Sequence, residues 1–258
     1  MFKYDLIVVG SGHAGCEAVL AASKLGLKSL LITLNLEHIA LMPCNPAVGG
    51  PAKSCLVREI DALGGVMGIV TDATYIQMKT LNSSKGPAVR ALRAQSDKKE
   101  YMSYMRHIIE CNPNISLKQT MATSLIVENN EVKGVIDEFG LEYHAPTVIL
   151  TTGTSLEGKC YVGLQYVNAG RMGERAATGL SESLIKNGLT LKRLKTGTPA
   201  RVDSRTIDYS KMTIQPGDEQ LRFFSFEPDR PIRKQYPCYL TRTTEKTHEI
   251  IKNNLDKS

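Results

Sequence analysis

Three glycines near the start of the chain have the spacing of a nucleotide-binding turn. They follow the apolar run YDLIVV at residues 4–9 and precede the helical pattern CEAVLAASKLG. In a strand–turn–helix unit the first glycine makes the turn, the second lets the backbone approach a pyrophosphate, and the third lets the helix pack on the strand. The same spacing also occurs in turns without a ligand, but the flanking strand and helix favour a dinucleotide site. Its predicted residues are Gly10, Ser11, Gly12, His13, Ala14 and Gly15.

The identity of the dinucleotide depends on two later segments. An acidic residue about 20 positions after the glycines holds the ribose in NAD sites. Here the second strand ends in Asn35, which can bond a hydroxyl, and Glu37 comes slightly late. The run TVILTTG at 147–153 resembles the second fingerprint of flavoproteins of the glutathione-reductase type, which favours FAD, although Thr152 and Gly153 also fit an ordinary strand-ending turn.

The loop CNPAVGG at residues 44–50 contains a candidate catalytic thiol. Gly49 and Gly50 permit a close approach to a flat ligand, and the helix predicted from about Ala52 turns its amides toward an anion or a flavin edge. Cys44, placed before this turn, could serve as a nucleophile or a redox partner, and the alternative is a small buried apolar residue. Cys16 and Cys55 fall inside predicted helices, where we expect them in the core.

Basic residues occur in groups that could contact phosphate. Charge alone permits a surface that faces RNA, and equally a solvated face paired with acids. The groups are Lys85, Arg90 and Arg93; Arg171 and Arg175; Lys192, Arg193, Lys195, Arg201 and Arg205; and Arg230, Arg233 and Lys234.

The hydrophobic periodicity predicts an α/β fold with a Rossmann-like, parallel βαβ start. Helices are predicted at 52–63, 88–110 and 174–187, and a strand at 74–81. Strands near 124–127, 132–137 and 141–144 predict an inserted β-meander before the strand at 147–150. Periodicity weakens after about residue 194, so we place a domain boundary near residue 200.

Composition excludes several classes of protein. The 258 residues are 42% hydrophobic and 22% charged, which is typical of a globular chain rather than a disordered one. No apolar run reaches the ~18 residues of a membrane span, and the first residues lack the pattern of a signal peptide. The six cysteines and five histidines are scattered without zinc spacing, so we expect no metal site and reduced thiols in the cytoplasm. The net charge of +6 permits a polyanionic partner.

Six blocks in colinear order resemble the MnmG family, also called GidA, over the whole chain. This is the family of FAD-dependent tRNA uridine 5-carboxymethylaminomethyl modification enzymes. The blocks are GSGHAGCEA (10–18), CNPAVGGPAKS (44–54), NSSKGPAVRALRAQ (82–95), LTTGT (150–154), LKTGTPARVDSRTIDYS (194–210) and PCYLTRTTEKTHEII (237–251).

The resemblance implies an activity and a set of partners. The family adds a carboxymethylaminomethyl or aminomethyl group at C5 of the wobble uridine of tRNA. It uses FAD, NADH as reductant, methylenetetrahydrofolate as one-carbon donor, and glycine or ammonium, and it works as a homodimer with the GTPase MnmE. Residues Gly10 to Gly15 would hold the FAD pyrophosphate, Ala122 and Ala177 fall at further FAD contacts, and Cys44 matches an active-site cysteine.

The resemblance also implies an incomplete enzyme. Residues 1–199 would be an FAD-binding domain that continues beyond the chain end, and residues 200–258 the start of a second inserted α/β domain. The family's second active-site cysteine lies in a Tyr-Cys-Pro-Ser motif past residue 258. We therefore expect weak or absent flavin and no modification activity for these 258 residues alone.

Two other functions stay open at this point. One is the folate- and FAD-dependent methylation of the T-loop uridine of tRNA, by a relative that shares the glycine motif and cysteine chemistry. The other is a non-catalytic module that binds FAD or RNA. The CNPAVGG and SKGPAV blocks favour the MnmG family over the methyltransferase.

Overall fold

The computed structural model describes residues 4–227 and 231–257. Arg230, one of the predicted phosphate-binding cations, lies outside the described residues. The elements of the first half are β1 (Leu6–Val9), α1 (His13–Lys24), β2 (Ser29–Thr33), β3 (Ala47–Gly49), α2 (Ser54–Ala62), α3 (Met67–Thr74), β4 (Tyr75–Leu81), β5 (Ala91–Ser96), α4 (Lys98–Glu110) and β6 (Ile115–Gln119). The second half adds β7 (Ala122–Glu128), β8 (Glu131–Asp137), β9 (Glu142–His144), β10 (Thr147–Leu150), β11 (Lys159–Val162), β12 (Gln165–Asn168), α5 (Leu180–Lys186), β13 (Thr213–Gln215), β14 (Cys238–Leu240) and α6 (Glu245–Lys252).

A four-stranded parallel sheet in the order β10-β1-β2-β6 forms the centre of the fold. Leu6 stands beside Ser29 on one side and Thr147 on the other, so the strand predicted from TVIL pairs directly with the first strand. Every residue of β1 and β2 is buried, as expected for apolar strands covered on both faces. The predicted Rossmann-like α/β fold is therefore confirmed.

The two faces of this sheet pack into two separate cores. Val8 and Leu31 point to a core that also contains residues of α1, α3, α4 and the sheet of β3, β4 and β5. Ile7 and Ile32 point to the opposite core, which contains residues of the meander and α5. Both cores come from the alternation of side chains along the same two strands.

The sequence prediction of one helix over 88–110 was wrong in its first part. Residues 91–96 form β5, which is the central strand of the antiparallel sheet β3-β5-β4, and α4 starts only at Lys98. Asp97 caps that helix, since its carboxylate accepts hydrogen bonds from the N–H groups of Lys99 and Glu100 (2.9 and 3.0 Å). Strand β5 pairs with β3 on one side and β4 on the other, and Ala94 is fully buried. These interactions outweigh the helix propensity of ALRAQ.

The helix predicted over 174–187 is also shorter than expected. Helix α5 begins at Leu180 because Gly179, with φ of +86°, cannot belong to a right-handed helix. The preceding residues form an irregular loop in which Ala177 pairs with Leu156. Helix α2, strand β4 and the meander β7-β8-β9 were predicted close to where they lie.

Residues after 200 are tied to α3 and β4 by backbone contacts. The carboxylate of Asp72 accepts hydrogen bonds from the N–H groups of Phe224 and Ser225 (3.0 and 2.8 Å), and the ring of Phe224 is fully buried in the first core. Gln77 donates to the carbonyl oxygens of Gln215 and Tyr236. The boundary near residue 200 stays a prediction, and this segment packs against the preceding residues.

Asp137 at the end of β8 anchors the meander. The N–H groups of Phe139 and Leu141 donate to its Oδ1 (2.9 and 3.0 Å), and the hydroxyls of Thr120 and Tyr143 donate to its Oδ2 (3.1 Å each). Burial opposes the charge, but the hydrogen bonds outweigh it and hold the pKa of Asp137 below its usual value. The ionised carboxylate therefore stabilises the fold.

We predict that Asp137→Asn lowers the free energy of unfolding by about 2 kcal/mol at pH 7, the usual size for lost hydrogen bonds to a charged group. The folded pKa is depressed, so this stabilisation is present above the unfolded value of about 3.9 and is lost as pH falls through the folded pKa. Urea unfolding of both proteins as a function of pH measures the difference. The exposed Asp203→Asn is the control, and its change should be much smaller because solvent screens its ion pair with Arg205. An equal loss in both variants would contradict this role of Asp137.

Candidate functional site

The turn between β1 and α1 is too crowded for side chains at two of its glycines. A Cβ at Gly10, where φ is +105°, would lie 2.4 Å from the carbonyl oxygen of Thr151. A Cβ at Gly15 would lie 1.9 Å from the carbonyl oxygen of Gly10. These positions let α1 approach the ends of β1 and β10 closely, as the motif predicts.

Gly12 differs from the other two glycines because open space surrounds it. No atom lies within 4 Å of the position that a Cβ would occupy there. Gly12 is the N-cap of α1 and has no side-chain cap, and Gly12 and Ala14 are exposed. The first N–H groups of the helix therefore face an open cradle, which suits the diphosphate of a dinucleotide.

Threonines on neighbouring strands hold this turn in place. The hydroxyl of Thr151 donates to the carbonyl oxygens of Val9 and Gly10 (3.1 and 2.9 Å). Buried Ser11 lies with its Oγ 2.7 Å from Oγ1 of Thr33. Thr151 is a supporting residue that sequence reasoning missed, although the TTG run contained it; Thr152 and Gly153 follow it at the same edge of the sheet.

His13 sits at the first position of α1 in a nearly closed environment. Its ring lies 5.5 Å from that of buried Tyr101, and its Nε2 has no hydrogen-bond partner among the described residues. Burial lowers the pKa of His13, so the ring is neutral at pH 7. A neutral ring adds no positive charge to the cradle, which leaves the helix N–H groups as its anion-binding feature.

The other predicted cofactor contacts lie around the same sheet. Asn35 follows β2, and its Oδ1 accepts a hydrogen bond from the N–H of Glu37 (2.9 Å). Ala122 is buried at the start of β7. The N–H of Ala177 donates to the carbonyl oxygen of Ser155 (2.9 Å), so this amide already has a protein partner.

Cys44 lies against a segment that is distant in sequence. The thiol of Cys44 donates to the carbonyl oxygen of Gly197 (3.3 Å). The carbonyl oxygen of Cys44 accepts a hydrogen bond from Nη2 of Arg201 (3.3 Å). In the following loop the N–H of Gly50 bonds the carbonyl oxygen of Leu92 (2.8 Å), while Gly49 lies so close to Phe224 that a Cβ would be 2.6 Å from its ring. The half-buried thiol of Cys44 therefore lies between its own loop, which is bonded to Leu92, and the segment around Gly197.

The environments of three cysteines separate their possible roles. Cys16 is fully buried, and burial together with the charge of Glu17 raises its pKa to about 12, so it is inert. Cys55 was expected in the core, and that expectation was wrong, because it lies on the exposed face of α2. Cys44 lies between these two extremes, because it is half-buried.

A second group of polar residues, not predicted together, lies on the loop before α5. Glu174 contacts Nδ1 of His38 (2.5 Å) and Nη1 of Arg171 (3.5 Å). Arg171 had been noted only as a cation, and Glu174 and His38 carried no recognisable motif. The group links the loop to the segment after β2.

The part of the chain that the structure describes contains neither a cluster of metal ligands nor a membrane-spanning helix. No group of three or more His, Cys, Asp or Glu residues in it is arranged to hold a metal ion. None of its helices has the length and apolar character required to cross a bilayer.

Comparison with known proteins gives one consistent result. Residues 5–258 match the family described as "Glucose inhibited division protein A". A relative from Synechocystis sp., named tRNA uridine 5-carboxymethylaminomethyl modification enzyme MnmG, is 55% identical over 258 residues, covering 99% of this chain and 41% of the relative. A relative of that name from Bacillus thuringiensis is 54% identical and is likewise covered over 41% of its length by 99% of this chain.

The structure of Aquifex aeolicus GidA matches with a TM-score of 0.94 at 47% identity, over 99% of this chain and 44% of the other. The chain thus spans about 41% of the length of these curated relatives.

Alanine substitutions at Gly12 and at Gly15 test whether the open space at Gly12 binds the cofactor. Gly12→Ala places a methyl group in open space, so we expect a loss of stability of about 1 kcal/mol or less but an FAD affinity at least about tenfold lower. Gly15→Ala forces the helix off the strand and should cost about 3 kcal/mol. Because these 258 residues alone are expected to bind flavin weakly or not at all, flavin fluorescence titration compares parent and variant in a chimera that continues this chain with the remaining part of a relative. Urea unfolding measures the change in stability. A Gly12→Ala protein that binds FAD as well as the parent would refute the cradle.

Proposed function

This chain belongs to the glucose inhibited division protein A (GidA) family, and we propose that it forms the cofactor-binding and cysteine-bearing part of an FAD-dependent enzyme that modifies tRNA uridine. The observation that supports this most directly is the open, uncapped N-terminus of α1 at Gly12, in a chain whose relatives are named as tRNA modification enzymes. The cations within residues 192–201, a segment that contacts Cys44 through Gly197 and Arg201, agree with a polyanionic substrate.

The residues of the cradle fit FAD. The N–H groups at the start of α1 would hold the diphosphate, and Asn35 at the end of β2 lies where a ribose is expected. Thr152 and Gly153 lie at the adjacent strand end, where the dinucleotide would pass. When bound, FAD supplies the capacity to accept or deliver a hydride.

Cys44 is the residue we assign to the chemistry at uracil. C5 of uracil is a poor nucleophile until a group adds at C6. A thiolate that adds at C6 places an electron pair on C5, and that pair would form the bond to the one-carbon electrophile supplied by methylenetetrahydrofolate. Loss of the C5 proton then restores the C5–C6 double bond and expels the thiolate. Cys44 could act in this way, or it could carry the one-carbon fragment, and its half-buried thiol is compatible with both.

The finer features of the reaction are proposed from the family resemblance. We propose that the product carries a carboxymethylaminomethyl or aminomethyl group at C5 of the wobble uridine. Methylenetetrahydrofolate would supply the carbon, glycine or ammonium the amine, and NADH the reducing equivalents. The GTPase MnmE would be the partner of a homodimer. Residues 1–199 would belong to the FAD-binding domain and residues 200–258 to an insertion domain.

Replacing Cys44 tests the proposed activity. With Cys44→Ser introduced at the chromosomal gene, we expect the C5 modification of wobble uridine to disappear from cellular tRNA, because serine oxygen is a much weaker nucleophile at neutral pH. Mass spectrometry of tRNA nucleosides measures this loss.

The matched control is Cys55→Ser, which changes an exposed cysteine on α2 and should leave the modification intact. Wobble modification that persists in the Cys44→Ser strain would overturn the assignment. Loss of the T-loop methyl group instead would identify the related methyltransferase reaction.

A further inference from the structure

An exposed basic segment leads to the thiol of Cys44. Residues 192–201 contain four cations, and the sequence has no acidic residue between positions 190 and 202. All of these residues are described, all are exposed, and none belongs to a helix or strand. The four cations of this basic segment are Lys192, Arg193, Lys195 and Arg201.

The basic segment is fixed at both ends. Near its start, Nη1 of Arg193 donates to the carbonyl oxygen of Glu157 (3.1 Å), beside the hairpin β11-β12. Near its end, Gly197 and Arg201 contact Cys44. A ligand that lay along the segment would therefore reach the thiol.

Two further cations lie near the Cys44 end. Lys98 begins α4 and Arg171 lies on the loop before α5. Burial lowers the pKa of Lys98, and the charges of Arg201 and Arg171 lower it further, so Lys98 is close enough to both arginines to be repelled by them. Arg171 also contacts Glu174, whose carboxylate offsets part of this positive charge. Asp203, the nearest acid in the sequence, is paired with Arg205 (2.6 Å). An anion beside Cys44 would relieve this repulsion.

Aromatic rings at the other end favour RNA over an acidic protein. Tyr161 and Tyr166 on the hairpin are 63% and 53% exposed, and their rings lie 5.5 Å apart. Nζ of Lys159 lies 4.7 Å from the centre of the Tyr166 ring. Arg193 and Tyr166 line one cleft of about 230 Å³. Exposed aromatic rings beside cations are the means by which proteins stack the bases of single-stranded nucleic acid.

We propose that the basic segment is a track for the sugar–phosphate backbone of the tRNA anticodon loop, with a base stacked at Tyr166 and the target nucleotide at Cys44. This inference rests on the proposed function and adds the surface that holds the substrate. The acid-free run of cations supplies the phosphate contacts, and the contacts of Gly197 and Arg201 with Cys44 set where the track ends.

The test measures how tightly the 258-residue chain binds a synthetic anticodon stem–loop with an unmodified wobble uridine. Fluorescence anisotropy of the labelled RNA gives the affinity at several salt concentrations. The variant Lys192→Gln with Lys195→Gln should weaken binding about tenfold near 0.1 M salt and reduce the slope of log K against log salt by about 1.4, or about 0.7 for each lost phosphate contact. Tyr166→Leu should weaken binding about fivefold or more without changing that slope, because stacking releases no counterions.

Matched controls remove the same charge or ring elsewhere. Lys28→Gln with Lys186→Gln changes two exposed lysines outside the segment, and Tyr104→Leu changes an exposed ring on α4. Both should stay within about twofold of the parent, and thermal melting verifies that every variant is folded.

Equal weakening by the segment variant and the lysine control would overturn the track while leaving the proposed function standing. No binding of the stem–loop by the parent chain would also overturn the track. The proposed function is judged separately by the nucleoside analysis of the Cys44→Ser strain.

Discussion

The close approach of α1 to the ends of β1 and β10 is the constraint on which the site depends. The carbonyl groups of Thr151 and Gly10 fill the space that side chains at Gly10 and Gly15 would need. Because the helix is held this near the sheet, its first N–H groups emerge at the carboxyl edge of the parallel strands. The strands β1, β2 and β10 all end at that edge, so loops from distant parts of the chain converge there.

Carboxylates that accept backbone N–H groups hold the surrounding segments to this scaffold. Glu17 on α1 accepts from Val66 and Met67 at the start of α3, although burial raises its pKa. Asp72 on α3 in turn accepts from Phe224 and Ser225. Each contact satisfies N–H groups that would otherwise lack partners, which explains how an irregular segment packs tightly without regular secondary structure.

The surroundings of Cys44 combine these two features. Its loop is clamped to β5 through Gly50, and the ring of Phe224 packs on Gly49. The thiol then meets a basic segment more than 150 positions later in the chain. The dinucleotide cradle is a short turn held by Thr33 and Thr151 at the neighbouring strand ends, whereas the cysteine site joins its own loop to the segments around Gly197 and Phe224.

Features with a local physical cause could be predicted from the residues alone. These are the glycine turn, the parallel βαβ start, the meander and the family, because spacing, periodicity and turn residues carry that information within short windows. Three other features emerged only in the folded chain: ALRAQS forms a central strand, Cys55 faces solvent, and Arg171, Glu174 and His38 meet. Each of these depends on partners far away in the chain, and cross-strand pairing or burial against such partners outweighs the local preference of the residues themselves.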